Sequence, residues 1–190
     1  MIVTKQTITY FYFLLVVTFV LGCSGKARQV NLVDLYESDG VQSVKGYVLE
    51  NPESINDRNE SGDSVLMLAT FDGKAGLVDF LIAHGANLQL ENEVGHSAIT
   101  LACLRRNHGV VKSLLEAGAN PNAREGTPLC LAVESRDALL CHTLLESGAD
   151  PDLKAVTIVG RIGQTPRTIA EEIGDDKVLK VFREYSDGDE

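Results

Sequence analysis

One short stretch of the chain contains a residue that could do nucleophilic chemistry. Ser64 directly follows Gly62 and Asp63, and a serine hydroxyl can attack an ester once a base removes its proton. Histidine is the usual base, but no histidine here follows an aspartate by three positions, and none lies in the last part of the chain. The four histidines are His84, His96, His108 and His142.

The Gly-Asp-Ser tripeptide resembles the start of the motif of GDSL-type hydrolases, which pair their serine with a late Asp-x-x-His. This resemblance implies a hydrolase with Ser64 as its catalytic nucleophile. Because the activating histidine is missing, hydrolysis is the least favoured function for this chain. The alternative is a structural role for Ser64, which depends on the elements that surround it.

Metal, cofactor and nucleic-acid chemistry find little support in the sequence. No cysteines or histidines form a close C-x-x-C or H-x-x-x-H pair, and Cys141-His142 is the nearest approach. The Gly-Lys-Ala-Gly segment at 73–76 lacks the Ser or Thr that follows the lysine of a phosphate-binding loop. A net charge of −10 opposes binding to nucleic acid. We therefore expect no cofactor, no metal and no enzymatic activity.

The first residues differ in composition from the rest of the chain. Between Met1 and Gly22 the only charged residue is Lys5, and an apolar run ends in Val-Leu-Gly before Cys23. This arrangement resembles a bacterial lipoprotein signal, which implies cleavage before Cys23 and lipidation of its thiol. The other interpretation is an uncleaved membrane anchor. We expect a lipid-anchored protein that faces the periplasm, and Ser24 favours the outer membrane.

A repeat with a period of 30 to 38 residues fills the remainder of the chain. The Gly-Ala-Asn sequence at 85–87 recurs at 118–120, and Gly-Ala-Asp follows at 148–150. Segments with a common pattern, a hydroxyl residue followed five positions later by alanine, begin at Ser64, Ser97, Thr127 and Thr165. Such spacing predicts an array of similar units.

These segments resemble the ankyrin repeat, in DSVLMLA, HSAITLA, GTPLCLA and QTPRTIA. The resemblance implies an all-α solenoid of about five helix pairs, including a cap at each end. The predicted organisation is a signal peptide at 1–22, a tether at 23–29, the ankyrin-repeat domain at 30–186 and an acidic tail at 187–190.

Helix-capping chemistry agrees with this interpretation. A hydroxyl at each segment start can accept a hydrogen bond from the first free amides of a helix. Pro128 and Pro166 then fall on the first helical position, where a missing amide costs little. Gly85, Gly118 and Gly148 can end the second helices in a left-handed conformation. Ser64 is accordingly predicted to be a helix cap.

The cysteines other than Cys23 are Cys103, Cys130 and Cys141, an odd number for an oxidising compartment. Cys141 stands at the repeat position of Val78 and Val111, which indicates a buried site. A disulfide between Cys103 and Cys130 is one alternative, and three buried thiols are the favoured one.

Ankyrin-like domains bind proteins through a concave side made of finger loops and the exposed edges of the first helices. Apolar residues at such positions, inside a charged rim, are suited to be binding anchors. Phe71 and Leu104 occupy the same position in adjacent repeats. Carried over position by position, the resemblance implies partner contacts at Phe71, Asp72, Glu93, Val94, His96, Leu104, Arg105, Arg124, Glu125, Glu134, Ile158, Val159 and Arg161.

Two fingers depart from the regular spacing. The finger before Thr127 is three residues shorter than the one before Ser97, and the finger before Thr165 is five residues longer. This longer finger contains the segment 155–163, which includes Ile158 and Val159 and predicts an extended hairpin. The hairpin either contacts a partner or folds back over the last repeat.

The expected function is binding of a protein partner by a domain that is monomeric when free. The resemblance implies two uses in the envelope. One is an immunity protein that neutralises an antibacterial effector, such as a secreted phospholipase. The other is an accessory protein in oxidative-stress defence or envelope maintenance. An acidic surface with apolar anchors favours the immunity role.

Overall fold

The computed structural model describes residues 31–154 and 161–187, except the side chains of residues 125, 126 and 187. The predicted signal peptide, Cys23, Ile158 and Val159 lie outside the described residues, as does the side chain of Glu125.

The described residues form five consecutive pairs of α-helices with no strand, which confirms the predicted all-α solenoid. A 3₁₀ helix at Pro52–Asn56 follows the first pair. The pairs are α1 (Leu32–Asp39) with α2 (Val41–Glu50), α3 (Val65–Phe71) with α4 (Ala75–Ala83), α5 (Ala98–Leu104) with α6 (His108–Glu116), α7 (Ala123–Glu134) with α8 (Ala138–Glu146), and α9 (Pro166–Ile173) with α10 (Asp176–Asp187).

The helices lie in two layers. The first helices of the pairs pack in sequence, α3 on α5, α5 on α7 and α7 on α9. In the second layer α4 packs on α6 and α8 on α10. The close approach of the first helices is allowed by small side chains, and the alanines at these contacts are fully or almost fully buried: Ala69, Ala102, Ala132 and Ala170.

Leucine and valine at helical spacing fill the space between the layers. Val110 and Leu114 on α6, and Leu140 and Leu144 on α8, are completely buried. Cys141 is buried at the same repeat position as Val78 and Val111, as predicted. The core is therefore one continuous cluster that runs through all five pairs.

Side-chain caps begin several of the helices. Ser64 accepts a hydrogen bond from the Met67 amide at 3.4 Å, so its predicted role as a cap of α3 is confirmed. Thr165 caps α9 and forms a reciprocal capping box with Thr168. Ser97 stands at the N-cap of α5 but makes no side-chain bond to the backbone there.

The predicted start of the third repeat is wrong. Helix α7 begins at Ala123, so Thr127 and Pro128 lie inside the helix instead of at its cap and first position. Pro128 has no amide to donate to the carbonyl of Arg124, and the Thr127 hydroxyl donates to that carbonyl instead, at 2.8 Å. The finger loop here is three residues shorter than the one before Ser97, and helix α7 takes the place of its last residues. The Thr127 hydroxyl supplies the hydrogen bond that Pro128 cannot donate.

Glycines of positive φ end the second helices, as predicted. Gly85, Gly118 and Gly148 have φ between 86° and 90°. The turns inside the pairs also require a left-handed residue, and there the repeats differ. Gly73 and Gly174 occupy this position in the second and fifth pairs, whereas the third and fourth pairs have Arg106 and Arg136, both with φ of 52°.

We expect Arg136→Gly to raise the free energy of unfolding by about 0.5–1 kcal/mol, because a left-handed conformation costs a non-glycine residue about 1 kcal/mol or more. Gly174→Ala is the reciprocal variant at the equivalent position. A Cβ at Gly174 would meet no atom within 4 Å. Gly174→Ala should therefore lower the free energy of unfolding by about 1 kcal/mol, through backbone strain alone. Urea unfolding monitored by circular dichroism measures both, and a destabilised Arg136→Gly would contradict the strain assignment.

Candidate functional site

An exposed column of side chains runs along the C-terminal ends of the first helices. Phe71 is 41% exposed and Leu104 is 48% exposed, and each is the last residue of its helix. The next members of the column are acidic, Glu134 on α7 and Glu172 on α9. The column therefore changes from apolar to acidic along the solenoid.

The end of this column borders the turns that join the two helices of each pair. We call residues 72–74, 105–107, 135–137 and 174–175 the turn edge. The guanidinium of Arg105 lies 4.7 Å from the centroid of the Phe71 ring, a cation–π distance. A shallow groove of about 300 Å³ is lined here by Phe71, Asp72, Gly73, Arg105, Arg106, Asn107 and His108.

A buried carboxylate fixes one side of the groove. Asp137 is 6% exposed and caps α8 by accepting a hydrogen bond from the Leu140 amide. Its other oxygen accepts from Nη2 of Arg106 at 2.9 Å and from Nε2 of His108 at 3.1 Å. Asp137 thus fixes two side chains that belong to the preceding repeat.

These contacts set the charge of Asp137. Burial alone would raise the pKa of its carboxyl, but the hydrogen bonds from Leu140 and Arg106 and the nearby charges lower that pKa below the usual value. Asp137 is therefore ionised at neutral pH. On the other side of the groove, Asp72 accepts a hydrogen bond of 2.6 Å from the Tyr36 hydroxyl. Burial, and then this hydrogen bond, raises the pKa of Tyr36.

The opposite ends of the first helices carry the finger loops at 57–63 and 90–96, which we call the finger edge. The two loops are built alike. Oδ1 of Asn59 accepts from the Asp63 amide, and Oδ1 of Asn92 accepts from the His96 amide, each at 2.8 Å. The amide of Glu93 then donates to the Ser61 carbonyl at 3.0 Å and links one finger to the next.

Three of the predicted contact residues, Glu93, Val94 and His96, lie at the second finger loop. Val94 is 64% exposed, and His96 is half-buried. The guanidinium of Arg124 lies against Gly95, where a Cβ would overlap it. Burial, and then the charge of Arg124, lower the pKa of His96, so this histidine is neutral at neutral pH.

Arg161, from the long fourth finger, reaches back to the first-helix column. Its Nη1 lies 2.7 Å from Glu172, and its Nε lies 3.2 Å from Glu134. Gln164 donates to the same Glu172 carboxylate at 3.1 Å. The described end of this finger therefore lies over the acidic part of the column, and Arg161 and Glu134 are paired with each other.

The predicted contact residues fall into separate groups. Phe71 and Leu104 end their helices next to the turn edge, which contains Asp72 and Arg105. Glu93, Val94 and His96 lie at the finger edge, and the Arg124 guanidinium lies against Gly95 there. Helix α3 has seven residues, so the two edges are about 10 Å apart. The prediction missed Arg106, His108 and Asp137, although the recurrence of Asn107 as Asp137 thirty residues later was a visible signal of a shared capping position.

The cysteines and the metal-ligating side chains were the other candidates for chemistry. Cys103, Cys130 and Cys141 are free and buried, and burial raises the pKa of the Cys130 and Cys141 thiols to about 12. In residues 31–154 and 161–187 no cluster of histidine, cysteine and carboxylate side chains could hold a metal ion. None of the helices described there has the length and apolarity needed to cross a bilayer.

Comparison with known proteins identifies the repeat. A family model described as ankyrin repeats (3 copies) matches residues 36–125 and 66–155, which together span more than half of the chain. The chain belongs to the ankyrin-repeat family. No curated protein matches it significantly over its sequence. An ankyrin-repeat domain is a protein-interaction module, so the exposed surfaces at its two edges are the candidate binding sites.

We expect Asp137→Asn to lower the free energy of unfolding at pH 7 by about 1–2 kcal/mol, because the ion pair with Arg106 is lost and the hydrogen bonds from Arg106 and His108 then go to an uncharged amide oxygen. The pKa of Asp137 is lowered in the folded state, so this stabilisation is present above the unfolded-state pKa and is lost as the pH falls. The difference from the wild-type protein should therefore shrink below about pH 4.

Urea unfolding across this pH range measures the effect. Asp79→Asn is the matched control, because Asp79 is exposed on α4 and forms no ion pair among the described residues. The control should change the free energy by less than about 0.5 kcal/mol. A difference for Asp137→Asn that stays constant with pH would rule out an ionised carboxylate as its source.

Proposed function

We propose that this protein is a membrane-tethered ankyrin-repeat lipoprotein that captures a partner protein in the bacterial envelope. One observation carries this proposal: Phe71 and Leu104 are exposed at equivalent positions on adjacent first helices. Exposed apolar side chains in register, surrounded by charged residues, suit the centre of a protein interface. Asp72, Arg105 and Arg106 provide the charged surroundings.

The finger edge adds an acidic surface to these anchors. Glu60, Glu91 and Glu93 are exposed there, while Arg58 is engaged with the Gly62 and Glu91 carbonyls. Complementary charge accelerates the encounter with a partner and disfavours wrong partners. The acidic finger edge, about 10 Å from the apolar anchors along α3, is therefore suited to a basic patch of the partner.

A lipid anchor at Cys23 would hold the domain at a membrane. The sequence around Cys23 supports such an anchor, and the short segment to residue 31 would keep the domain near the bilayer. A membrane-bound binding domain is well positioned to neutralise an effector that acts on lipids. We therefore assign the protein the role of an immunity protein against an antibacterial effector, such as a secreted phospholipase.

The surface assignment is tested with the double variant Phe71→Asp with Leu104→Asp. We expect the affinity for the captured partner to fall at least about 100-fold, because a buried anchor contributes about 2 kcal/mol and each 1.4 kcal/mol is tenfold. The partner is first isolated by pull-down with the protein in which Cys23 is replaced by serine, and affinities are then measured by calorimetry.

Leu49 and Leu139 provide the matched control for this experiment. They are 65% and 63% exposed and lie on second helices, so Leu49→Asp with Leu139→Asp should leave the affinity unchanged. An equal loss of affinity in both double variants, or no loss of affinity in the Phe71 and Leu104 variant, would refute the assignment of this surface as the binding site. A partner that is a stress-defence protein and no effector would refute the immunity role alone.

The anchor is tested with Cys23→Ser in the full-length chain. We expect the wild-type protein to incorporate radiolabelled palmitate and to sediment with membranes, and the variant to lose the label and to keep its apolar segment uncleaved, which a larger mass on a gel detects. Cys130→Ser, which changes a buried thiol, should keep the label. An unlabelled wild-type protein that still sediments would indicate an uncleaved anchor instead.

A further inference from the structure

A row of cationic side chains lies along the turn edge. Lys74, Arg105, Arg106 and Arg136 are exposed in the turns of three successive repeats. Helices packed side by side are about 8–10 Å apart, so the cations of one turn follow those of the next at about that spacing. The row ends at the fifth pair, where Asp175 lies in the turn and Asp176 begins α10.

Most of this row forms no ion pair. Among the described residues, Lys74, Arg105 and Arg136 have no carboxylate within 4 Å. The chain as a whole has 27 acidic and only 17 basic side chains, so carboxylates are abundant. The three carboxylates of the edge make other contacts: Asp72 accepts from Tyr36, Asp137 from Arg106 and His108, and Asp175 from the first amides of α10. Three of the four cations of the edge are therefore unpaired on a protein that is acidic as a whole.

Arg136 carries the strongest evidence that this charge has a use. It adopts a left-handed conformation with φ of 52° at a position where Gly73 and Gly174 serve the other repeats. Arg106 has the same strain but gains its contacts with Asp137. Arg136 has no such ion pair among the described residues, so the stability of the fold favours glycine there. A strained backbone conformation that no contact of the side chain compensates indicates a functional residue.

We propose that the turn edge binds an acidic segment of the partner protein in an extended conformation. This inference rests on the proposed function, that the domain captures a protein. In an extended polyproline II chain, which has three residues per turn and rises about 3.1 Å per residue, side chains at every third position lie on one face about 9 Å apart, which matches the spacing of the cationic turns. An apolar side chain between two of them enters the groove beside Phe71, where Arg105 already covers part of the ring.

The groove and the overall charge favour a peptide over other polyanions. A bilayer or a duplex presents a broad anionic surface, which the net charge of −10 repels outside this edge. A peptide strand contacts the edge alone. It also uses the concavity at Phe71, and its acidic side chains complete the charge-assisted hydrogen bonds that Arg105 and Arg136 lack.

The test uses a fluorescent peptide with three glutamates at every third position and a phenylalanine between the first two. We expect it to bind the Cys23→Ser protein with an affinity that falls as salt is added. A peptide of the same composition with adjacent glutamates should bind at least about fivefold more weakly, since it cannot reach successive turns. The peptide with glutamines should not bind measurably.

The variant Arg136→Gly separates binding from folding. It should weaken the glutamate peptide about tenfold through loss of one charge-assisted contact, while its unfolding midpoint rises. Arg105→Ala should have a similar effect on affinity. Arg183→Ala removes the same charge from the exposed surface of α10 and should leave the affinity unchanged.

Several results would overturn the inference. Equal binding of the spaced and clustered peptides, equal loss in Arg183→Ala, or unchanged affinity in Arg136→Gly would each do so. Binding to anionic lipid vesicles without binding to the peptide would assign the edge to a membrane instead. If the peptide fails to bind while the partner still requires Phe71 and Leu104, this inference falls and the proposed function stands.

Discussion

The structure depends on the close packing of each first helix on the next. Small side chains allow this close approach, and Ala69, Ala102, Ala132 and Ala170 lie on these helices with almost no exposed surface. The spacing of the helices then fixes the spacing of everything attached to them. Phe71 and Leu104 stand side by side, and the cationic turns form a row, because the alanines set one repeat distance.

Most of the fold follows from patterns that a sequence displays directly. Hydroxyl caps, terminal glycines and the alanine positions recur at fixed intervals, and each has a local physical cause that acts in every repeat. The third repeat was mispredicted because its short finger leaves no loop to be capped. A hydroxyl that pairs with the Arg124 carbonyl makes Pro128 acceptable within α7. This compensation involves two specific side chains in one repeat, so it leaves no periodic pattern in the sequence.

The binding surface was only partly predictable for a similar reason. Exposure at Phe71, Val94 and Leu104 could be inferred from repeat positions, and the structure agrees. The engagement of Arg161 with Glu134 and Glu172 depends on where an irregular finger runs, which no spacing specifies. The contact between Asp137 and residues of the preceding repeat likewise joins positions about thirty residues apart. The repeat pattern predicts which residues are exposed, whereas the ion pairs between charged side chains can be identified only from the structure.

The separation of charge between the two edges has a consequence for how the domain meets other molecules. Acidic fingers lie at one end of the first helices and unpaired arginines at the other, about 10 Å apart along α3. The domain therefore has a permanent dipole across its width. A molecule that approaches from solution experiences a torque before any contact forms, and it arrives already turned towards one orientation. Ionic strength would then control the rate of productive encounters more than the lifetime of the complex.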